Sequence, residues 1–191
     1  MNDKAANPSV KKNSIEEYLG SSNAGNRTPS NRWHNLIVPN TAIALGSRLH
    51  GHKCDVYISN MRVKLKSGQI IYPDVVIVNG EPTFSDQHQD MLLNPTAVVE
   101  IISPGTNSSD RAQILESFLA MDSIKEVILV KEDEMRIEHY ARQNAKQWIY
   151  RIYNERDDVI SLESIATKIS LSELYAQIKF RQAQFSSTAV N

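Results

Sequence analysis

Two acidic residues interrupt apolar runs that otherwise have the composition of buried β-strands. Asp74 stands in the run Tyr72–Val78, and Glu100 stands in the run Ala97–Ser103. A carboxylate inside a buried strand is costly unless a partner compensates its charge. Two such acids that converge at one end of a sheet form an oxygen-rich pocket, which suits a hard divalent cation such as Mg²⁺. The pattern is therefore typical of the metal site of a phosphodiesterase.

The chemistry expected of this pair is phosphodiester hydrolysis. A cation held by Asp74 and Glu100 would polarise the phosphate and activate water, while a nearby lysine would balance the developing charge. The backbone carbonyl of Ile101, directly after Glu100, would supply a third oxygen ligand. The residues alone also allow a simpler interpretation, in which Asp74 caps a turn at a strand start and Glu100 pairs with a buried arginine.

Composition limits the class of protein. The chain has 191 residues, 41% of them hydrophobic, which is enough for one sizeable core. With 21 basic and 22 acidic residues it lacks the strong positive charge of a nucleic-acid coat protein, although a local basic rim still allows a nuclease. The single cysteine, Cys54, excludes an internal disulfide and fits a reducing cytoplasm. We expect no membrane anchor and no signal peptide.

Periodicity predicts an α+β fold with a mixed sheet. We expect a flexible segment over residues 1–32, a folded domain over 33–180 and a disordered tail over 181–191. Pro39 interrupts the first helical pattern, so the regular helix should begin at Pro39 or kink there. A helix should run from Asp110 to about Met121 with Ser109 as its N-cap, and a capping box at Ser170 should open a last helix to about Ile178. The expected strands lie near residues 55–58, 61–66, 72–78, 97–103, 126–130, 135–140 and 147–153.

Several segments, in order and spacing, resemble the Uma-type putative restriction endonuclease family. The segments that carry the resemblance are Val56–Lys64, Tyr72–Val78, Asn94–Pro104, Asp110–Arg111, Ser123–Val130, Met135–Tyr140 and Ile169–Tyr175. The resemblance implies a PD-(D/E)xK nuclease fold, that is, a restriction endonuclease-like mixed central β-sheet flanked by helices. It also implies Mg²⁺ or Mn²⁺ at the sheet edge and DNA as the substrate. By this resemblance Asp74 and Glu100 are the catalytic, metal-binding acids, and the metal ligands are Asp74, Glu100 and Ile101.

The chain departs from the family pattern at the catalytic lysine. The family places that lysine four residues beyond the Asp-Arg pair, and here the position is Ile114. An isoleucine cannot balance phosphate charge. A family glutamate in an N-terminal hairpin also has no counterpart after Leu19. The candidates for a relocated cation are Lys64, Arg62 and Arg111, and Asp110 is a further accessory candidate.

The sequence thus predicts a Mg²⁺-dependent DNA endonuclease-like protein in which cleavage is weak or absent. The alternative is a non-catalytic protein that keeps the fold to bind DNA or a partner. The resemblance is compatible with a homodimer. Two further interpretations concern single residues: His34 is a capping or surface residue, and Trp148 and Tyr150 either stack on bases or pack one sheet face.

Overall fold

The structure, a computed structural model, describes residues 31–85, 87–106 and 108–180. The helices are α1 (His34–Leu49), α2 (Ser108–Leu119) and α3 (Leu171–Leu174). The strands are β1 (Cys54–Ile58), β2 (Arg62–Lys64), β3 (Ile70–Ile71), β4 (Val75–Asn79), β5 (Met91–Leu92), β6 (Ala97–Ile102), β7 (Glu126–Lys131), β8 (Ile137–Asn144), β9 (Gln147–Tyr153), β10 (Val159–Leu162) and β11 (Thr167–Ser170). A short 3₁₀ helix, Glu163–Ile165, joins β10 to β11.

A six-stranded mixed sheet forms the centre of the described region, in the order β1-β4-β6-β7-β8-β9. The pair β6–β7 is parallel and α2 lies between these strands in the sequence, whereas the other neighbouring pairs are antiparallel. The carboxyl ends of β6 and β7 therefore meet the amino end of β4 at one edge. This edge is where the two acids of the sequence pattern lie.

Each face of the central sheet has its own hydrophobic core, because successive side chains of a strand alternate between faces. Val75, Ile77 and Val99 pack with α1, β10, β11 and α3 on one face. Val76 and Val98 pack on the other face with α2 and with the small sheet β3-β2-β5. The strands β4 and β6 are buried on both faces, which explains why their sequences read as continuous Val/Ile runs.

The expected α+β fold with a mixed sheet is confirmed, but three helix boundaries differ from the prediction. Helix α1 begins at His34 and contains Pro39, so the prediction of a start at Pro39 is wrong. Its inward face is buried, and this packing compensates for the backbone hydrogen bond that proline removes. Helix α2 begins at Ser108, so Ser109 lies inside the helix and is not its N-cap.

The last helix is shorter than expected, although its start was predicted correctly. Ser170 and Glu173 form the expected capping box, but α3 ends at Leu174 instead of continuing to about Ile178. In the part of the chain that the structure describes, no helix is long and apolar enough to cross a membrane. The expectations for residues 1–30 and 181–191 lie outside the described residues, and the domain boundaries at 32 and 180 stay predictions.

Candidate functional site

Asp74 lies directly before β4 and is held at the edge of the sheet by its neighbours. Its side chain is buried, with 8% of the residue exposed. One carboxylate oxygen, Oδ2, accepts a hydrogen bond of 2.9 Å from the backbone N–H of Ile101. Its own backbone oxygen accepts the N–H of Ser59 at 2.9 Å. The Asp74 carboxylate is therefore tied to the backbone of β6, just beyond the last residue pair of β4 and β6.

His34, in the first turn of α1, also contacts this acid. Its Nε2 lies 2.9 Å from Asp74 Oδ1, where it donates to the carboxylate. The interpretation of His34 as a capping or surface residue is therefore wrong. A sequence signal was available: His34 shares the inward helix face with the fully buried Ile37 and Thr41, which follow at three and seven residues.

Glu100 lies in β6, next to the residue whose backbone N–H binds Asp74. The register joins Val75 to Val99, and Asp74 and Glu100 are the residues directly beyond this last pair. Since the N–H and C=O of one strand residue point to the same side, the carbonyl of Ile101 faces Asp74, as its N–H does. The structure thus places Asp74 against Ile101, the residue that follows Glu100, and the assignment of the three as metal ligands stays a prediction.

These donors fit a hard divalent cation. Two carboxylates and one carbonyl are all oxygen donors, and Mg²⁺ is usually bound by one or two carboxylates, with water and substrate phosphate completing its shell. Within residues 31–85, 87–106 and 108–180, no group of three or more His, Cys, Asp or Glu side chains could hold a metal ion. Any metal here would therefore depend on the Ile101 carbonyl, water and phosphate as well as on the two acids.

A further acid, Glu138 of β8, lies in the same row of residues across the sheet as Glu100 of β6. Glu100 pairs with Leu129 of β7, and Leu129 pairs with Glu138 of β8, so both acids face the α2 side of the sheet. Arg111 of α2 contacts Glu138 Oε2 at 2.5 Å, and Arg136 lies 3.4 Å from Oε1. Burial alone would raise the pKa of the Glu138 carboxyl, but these two arginines outweigh it and leave the pKa below its ordinary value.

The remaining sequence candidates lie on the surface or are only partly buried. Ile114 is 40% exposed on α2, so an alkyl group faces solvent at the position where the sequence comparison expected a lysine. Asp110, in the first turn of α2, is exposed, and Lys64 is exposed on β2. Arg111 is partly buried through its ion pair with Glu138. Arg111 therefore contacts an acid, Glu138, that lies in the same cross-strand row as Glu100.

Another buried polar cluster, which the sequence reasoning missed, lies on the opposite face of the sheet. His139 Nε2 is 3.1 Å from Glu126 Oε1, and both side chains are almost completely buried. The other Glu126 oxygen accepts hydrogen bonds from the backbone N–H and the hydroxyl of Ser164. The cluster lines a cleft of about 490 Å³. The serine donates to the glutamate and not to the histidine, so this is not a nucleophile–base–acid triad.

Residues 25–173 match the model of the Uma2 family, which is described as a putative restriction endonuclease. The chain belongs to the Uma2 family. The match covers both Asp74 and Glu100, and it confirms the family that the sequence motifs indicated.

Two relatives come from Synechocystis sp. (strain ATCC 27184 / PCC 6803 / Kazusa). The uncharacterized protein sll1609 is 26% identical over 117 residues, which is 61% of this chain and 66% of that protein. The uncharacterized protein slr1290 is 22% identical over 147 residues, which is 77% of this chain and 76% of that protein. The chain therefore spans just under two thirds of the first relative's length and about three quarters of the second.

The fold also matches a solved structure. A putative nuclease belonging to DUF820 from Anabaena variabilis ATCC 29413 superposes with a TM-score of 0.63 at 16% identity, covering 76% of this chain and 82% of that one. At this identity the likeness establishes the shared fold, a mixed sheet with flanking helices.

Proposed function

We propose that this Uma2 protein is a Mg²⁺- or Mn²⁺-dependent DNA endonuclease-like protein, with Asp74 and Glu100 as its catalytic acids and metal ligands. The observation that carries the proposal is the geometry of Asp74. A buried carboxylate is fixed by the N–H of Ile101 near the end of β6, and Ile101 directly follows Glu100 in that strand. Membership of a restriction endonuclease family and a nuclease-like fold support the same reaction class.

Each residue of the site has a distinct task in this proposal. A divalent cation bound here would supply Lewis-acid activation of the phosphate and of water. Asp74 and Glu100 would hold it, together with the Ile101 carbonyl. His34 positions the Asp74 carboxylate through its 2.9 Å contact with Oδ1. Arg111 and Arg136, held by Glu138, would contact backbone phosphates on the α2 side of the sheet.

We expect slow cleavage, because no ammonium group stands at the family's lysine position. Ile114 offers an exposed alkyl group there. Loss of one electrostatic contact to the transition state typically costs about 10²–10³ in rate. The same observation favours a second candidate function, in which the protein binds DNA or a partner without cutting. A homodimer and a cytoplasmic location stay predictions.

The deciding experiment measures metal binding and strand cleavage in the same samples. Mg²⁺ or Mn²⁺ is titrated by calorimetry into the wild-type protein, into Asp74→Ala/Glu100→Ala, and into the control Glu155→Ala/Asp157→Ala, which removes two exposed acids elsewhere. Plasmid nicking is assayed in parallel. We expect binding and slow nicking in the wild type and in the control, and neither in the first double variant.

The other outcomes separate the two functions. Metal binding without nicking would leave an intact ligand pair and favour the binding function. Nicking that survives in Asp74→Ala/Glu100→Ala would overturn the assignment of these residues. No metal binding in the wild-type protein would overturn the metal-dependent reaction altogether.

A further inference from the structure

The β8–β9 hairpin presents aromatic rings and guanidinium groups side by side on one face. The register pairs Tyr140 with Tyr150 and Arg142 with Trp148, so these four side chains share a face. The same face carries Glu138, which lies in the row of Glu100. We name this surface the hairpin face; its members are Arg136, Glu138, Tyr140, Arg142, Trp148, Tyr150 and Ile152.

The aromatic rings of the hairpin face are held in place and partly open to solvent. The ring centroids of Tyr140 and Tyr150 are 4.8 Å apart with 34° between the ring planes. Tyr150 nevertheless keeps 47% of its surface exposed, and Ile152 keeps 44%. Trp148 is half-buried beneath the guanidinium of Arg142, whose Cζ lies 4.3 Å from the ring centroid. One side of Tyr150 is thus supported by protein while the residue remains accessible for stacking.

Positive charge exceeds negative charge around these rings. Arg111 and Arg136 share the single carboxylate of Glu138. Arg142 donates to the backbone carbonyls of Leu119, Met121 and Ile124, which hold its guanidinium without neutralising it. The surface is therefore locally cationic on a chain whose formal net charge is −1. This charge favours a polyanion over a second copy of the same face, because like charges repel.

We infer that the hairpin face binds a single-stranded segment of nucleic acid, with unpaired bases stacked on Tyr150 and Trp148. Stacking on aromatic side chains accepts any base, but it needs a base whose face is free, and the bases of a duplex are covered by their neighbours. Alternating cations and rings are the usual chemistry of such surfaces. The site would thus prefer flaps, bubbles or single strands to an intact duplex.

The distance from the hairpin face to the acid pair can be spanned by one continuous strand of nucleic acid. Strand β9 lies three strand spacings from β6, which is about 14 Å. A nucleic-acid strand whose bases stack on the hairpin face would pass Arg111 and Arg136 before it reaches Glu100. This path of the bound nucleic acid toward Glu100 rests on the proposed function. The stacking of bases depends only on the hairpin face.

The test compares single-stranded and duplex probes on the full chain. The probes are a fluorescent oligothymidylate of about 20 nucleotides, longer than most single-strand sites, and a blunt duplex of the same length, followed by anisotropy with EDTA present. We expect Tyr150→Ala to weaken oligothymidylate binding about tenfold and Tyr150→Phe to retain it within about twofold. Duplex binding should be unchanged. The control Ile43→Ala removes an apolar side chain that is 69% exposed on α1 and should change neither affinity.

Tryptophan fluorescence gives a second readout that does not require loss of a side chain at the site. The chain has two tryptophans, so Trp33→Phe leaves Trp148 as the reporter. Stacking predicts that oligothymidylate quenches this emission and that duplex does not. Thermal melting of each variant verifies that it is folded.

Several outcomes would overturn the inference. The first is that the wild type does not bind oligothymidylate. The second is that Tyr150→Ala loses affinity for oligothymidylate and for the duplex equally. The third is that Tyr150→Ala sediments as a monomer where the wild type sediments as a dimer, with its affinity for oligothymidylate unchanged. The last would assign the face to a second copy. Failure of the proposed cleavage is distinguishable, because Asp74→Ala/Glu100→Ala should lose nicking and still bind oligothymidylate.

Discussion

His34 and Asp74 are 40 residues apart in the chain, yet their side chains meet with 2.9 Å between Nε2 and Oδ1. The contact joins the first turn of α1 to the edge of the central sheet. With the N–H of Ile101 on the other oxygen, it satisfies both oxygens of a buried carboxylate. This arrangement explains how an acid is tolerated at the start of a strand that is buried on both faces.

Replacing His34 should therefore destabilise the protein. In His34→Ala the Oδ1 oxygen of Asp74 loses its donor while remaining largely buried, which typically costs about 1–3 kcal/mol. Urea denaturation followed by circular dichroism measures the free energy of unfolding. The matched control is His52→Ala, an exposed histidine just after α1. Equal stability of the two variants would show that the contact does not contribute to folding.

A lysine at position 114 should increase nuclease activity. Because Ile114 is 40% exposed, an ammonium group can be introduced in Ile114→Lys without burying its charge, and the free energy of unfolding should change by less than about 0.5 kcal/mol. Restoring one transition-state contact could raise the nicking rate by up to about 10²–10³. Plasmid nicking under single-turnover conditions measures it.

The neighbouring position provides the control for this substitution. Gln113→Lys adds the same charge about 100° further around the helix. A rate increase of similar size in both variants would indicate general electrostatic attraction to DNA instead of a restored catalytic group. No increase in a folded Ile114→Lys protein would contradict the view that this position limits cleavage.

The ion pairs of Glu138 should make stability depend on acidity. Its pKa in the folded protein lies below the ordinary value of 4.5, so the carboxylate contributes stability above that value and loses it as the pH falls through the folded pKa. One such group changes the slope of unfolding free energy by at most about 1.4 kcal/mol per pH unit. In Glu138→Gln the decline of stability below about pH 4.5 should be shallower, as urea denaturation at several pH values would show.

The exposed carboxylate of Glu155 serves as the comparison for Glu138. Glu155→Gln removes a surface acid without disturbing an ion pair between described residues, and the acid limb of its stability profile should match that of the wild type. If the profiles of Glu138→Gln and Glu155→Gln coincide, the arginine pairing of Glu138 does not contribute to acid sensitivity.

The buried pair of Glu126 and His139 should matter for folding rather than for cleavage. His139→Leu fills a similar volume but removes the donor 3.1 Å from Glu126 Oε1, at an expected cost of about 1–3 kcal/mol. The hydrogen bonds from Ser164 remain. Thermal melting measures the loss, and His88→Leu on the surface is the control. A fall in nicking at a temperature where His139→Leu is fully folded would contradict this separation of the two clusters.

Much of the architecture could be predicted from local pattern. The Val/Ile runs around Asp74 and Glu100 indicated central strands, and the alternation over Gln147–Tyr153 gave the observed bounds of β9. The Ser170–Glu173 capping box forms as the sequence indicated. These features depend on residues a few positions apart, so the local sequence is sufficient to predict them.

Helix boundaries were less predictable because long-range packing decides them. Pro39 is tolerated inside α1 because Ile37, Val38 and Leu45 on the same helix are buried against the sheet. The end of α3 at Leu174 likewise depends on tertiary contacts: the hydroxyl of the next residue, Tyr175, donates to the backbone oxygens of Lys131 and Arg136. Single-residue propensities do not include these contacts.

By itself, the sequence determined the family and the mixed α+β fold, because the order of the motifs and the apolar runs indicate which strands are central. It also proposed the pair of acids, which stays a prediction. Tertiary structure decided the environment of each group. It placed His34 on Asp74, Arg111 on Glu138 and the rings of Tyr140 and Tyr150 together at an open face. Partners that lie 10 to 40 residues apart meet through strand register and helix packing, and neither is encoded in the spacing of the residues themselves.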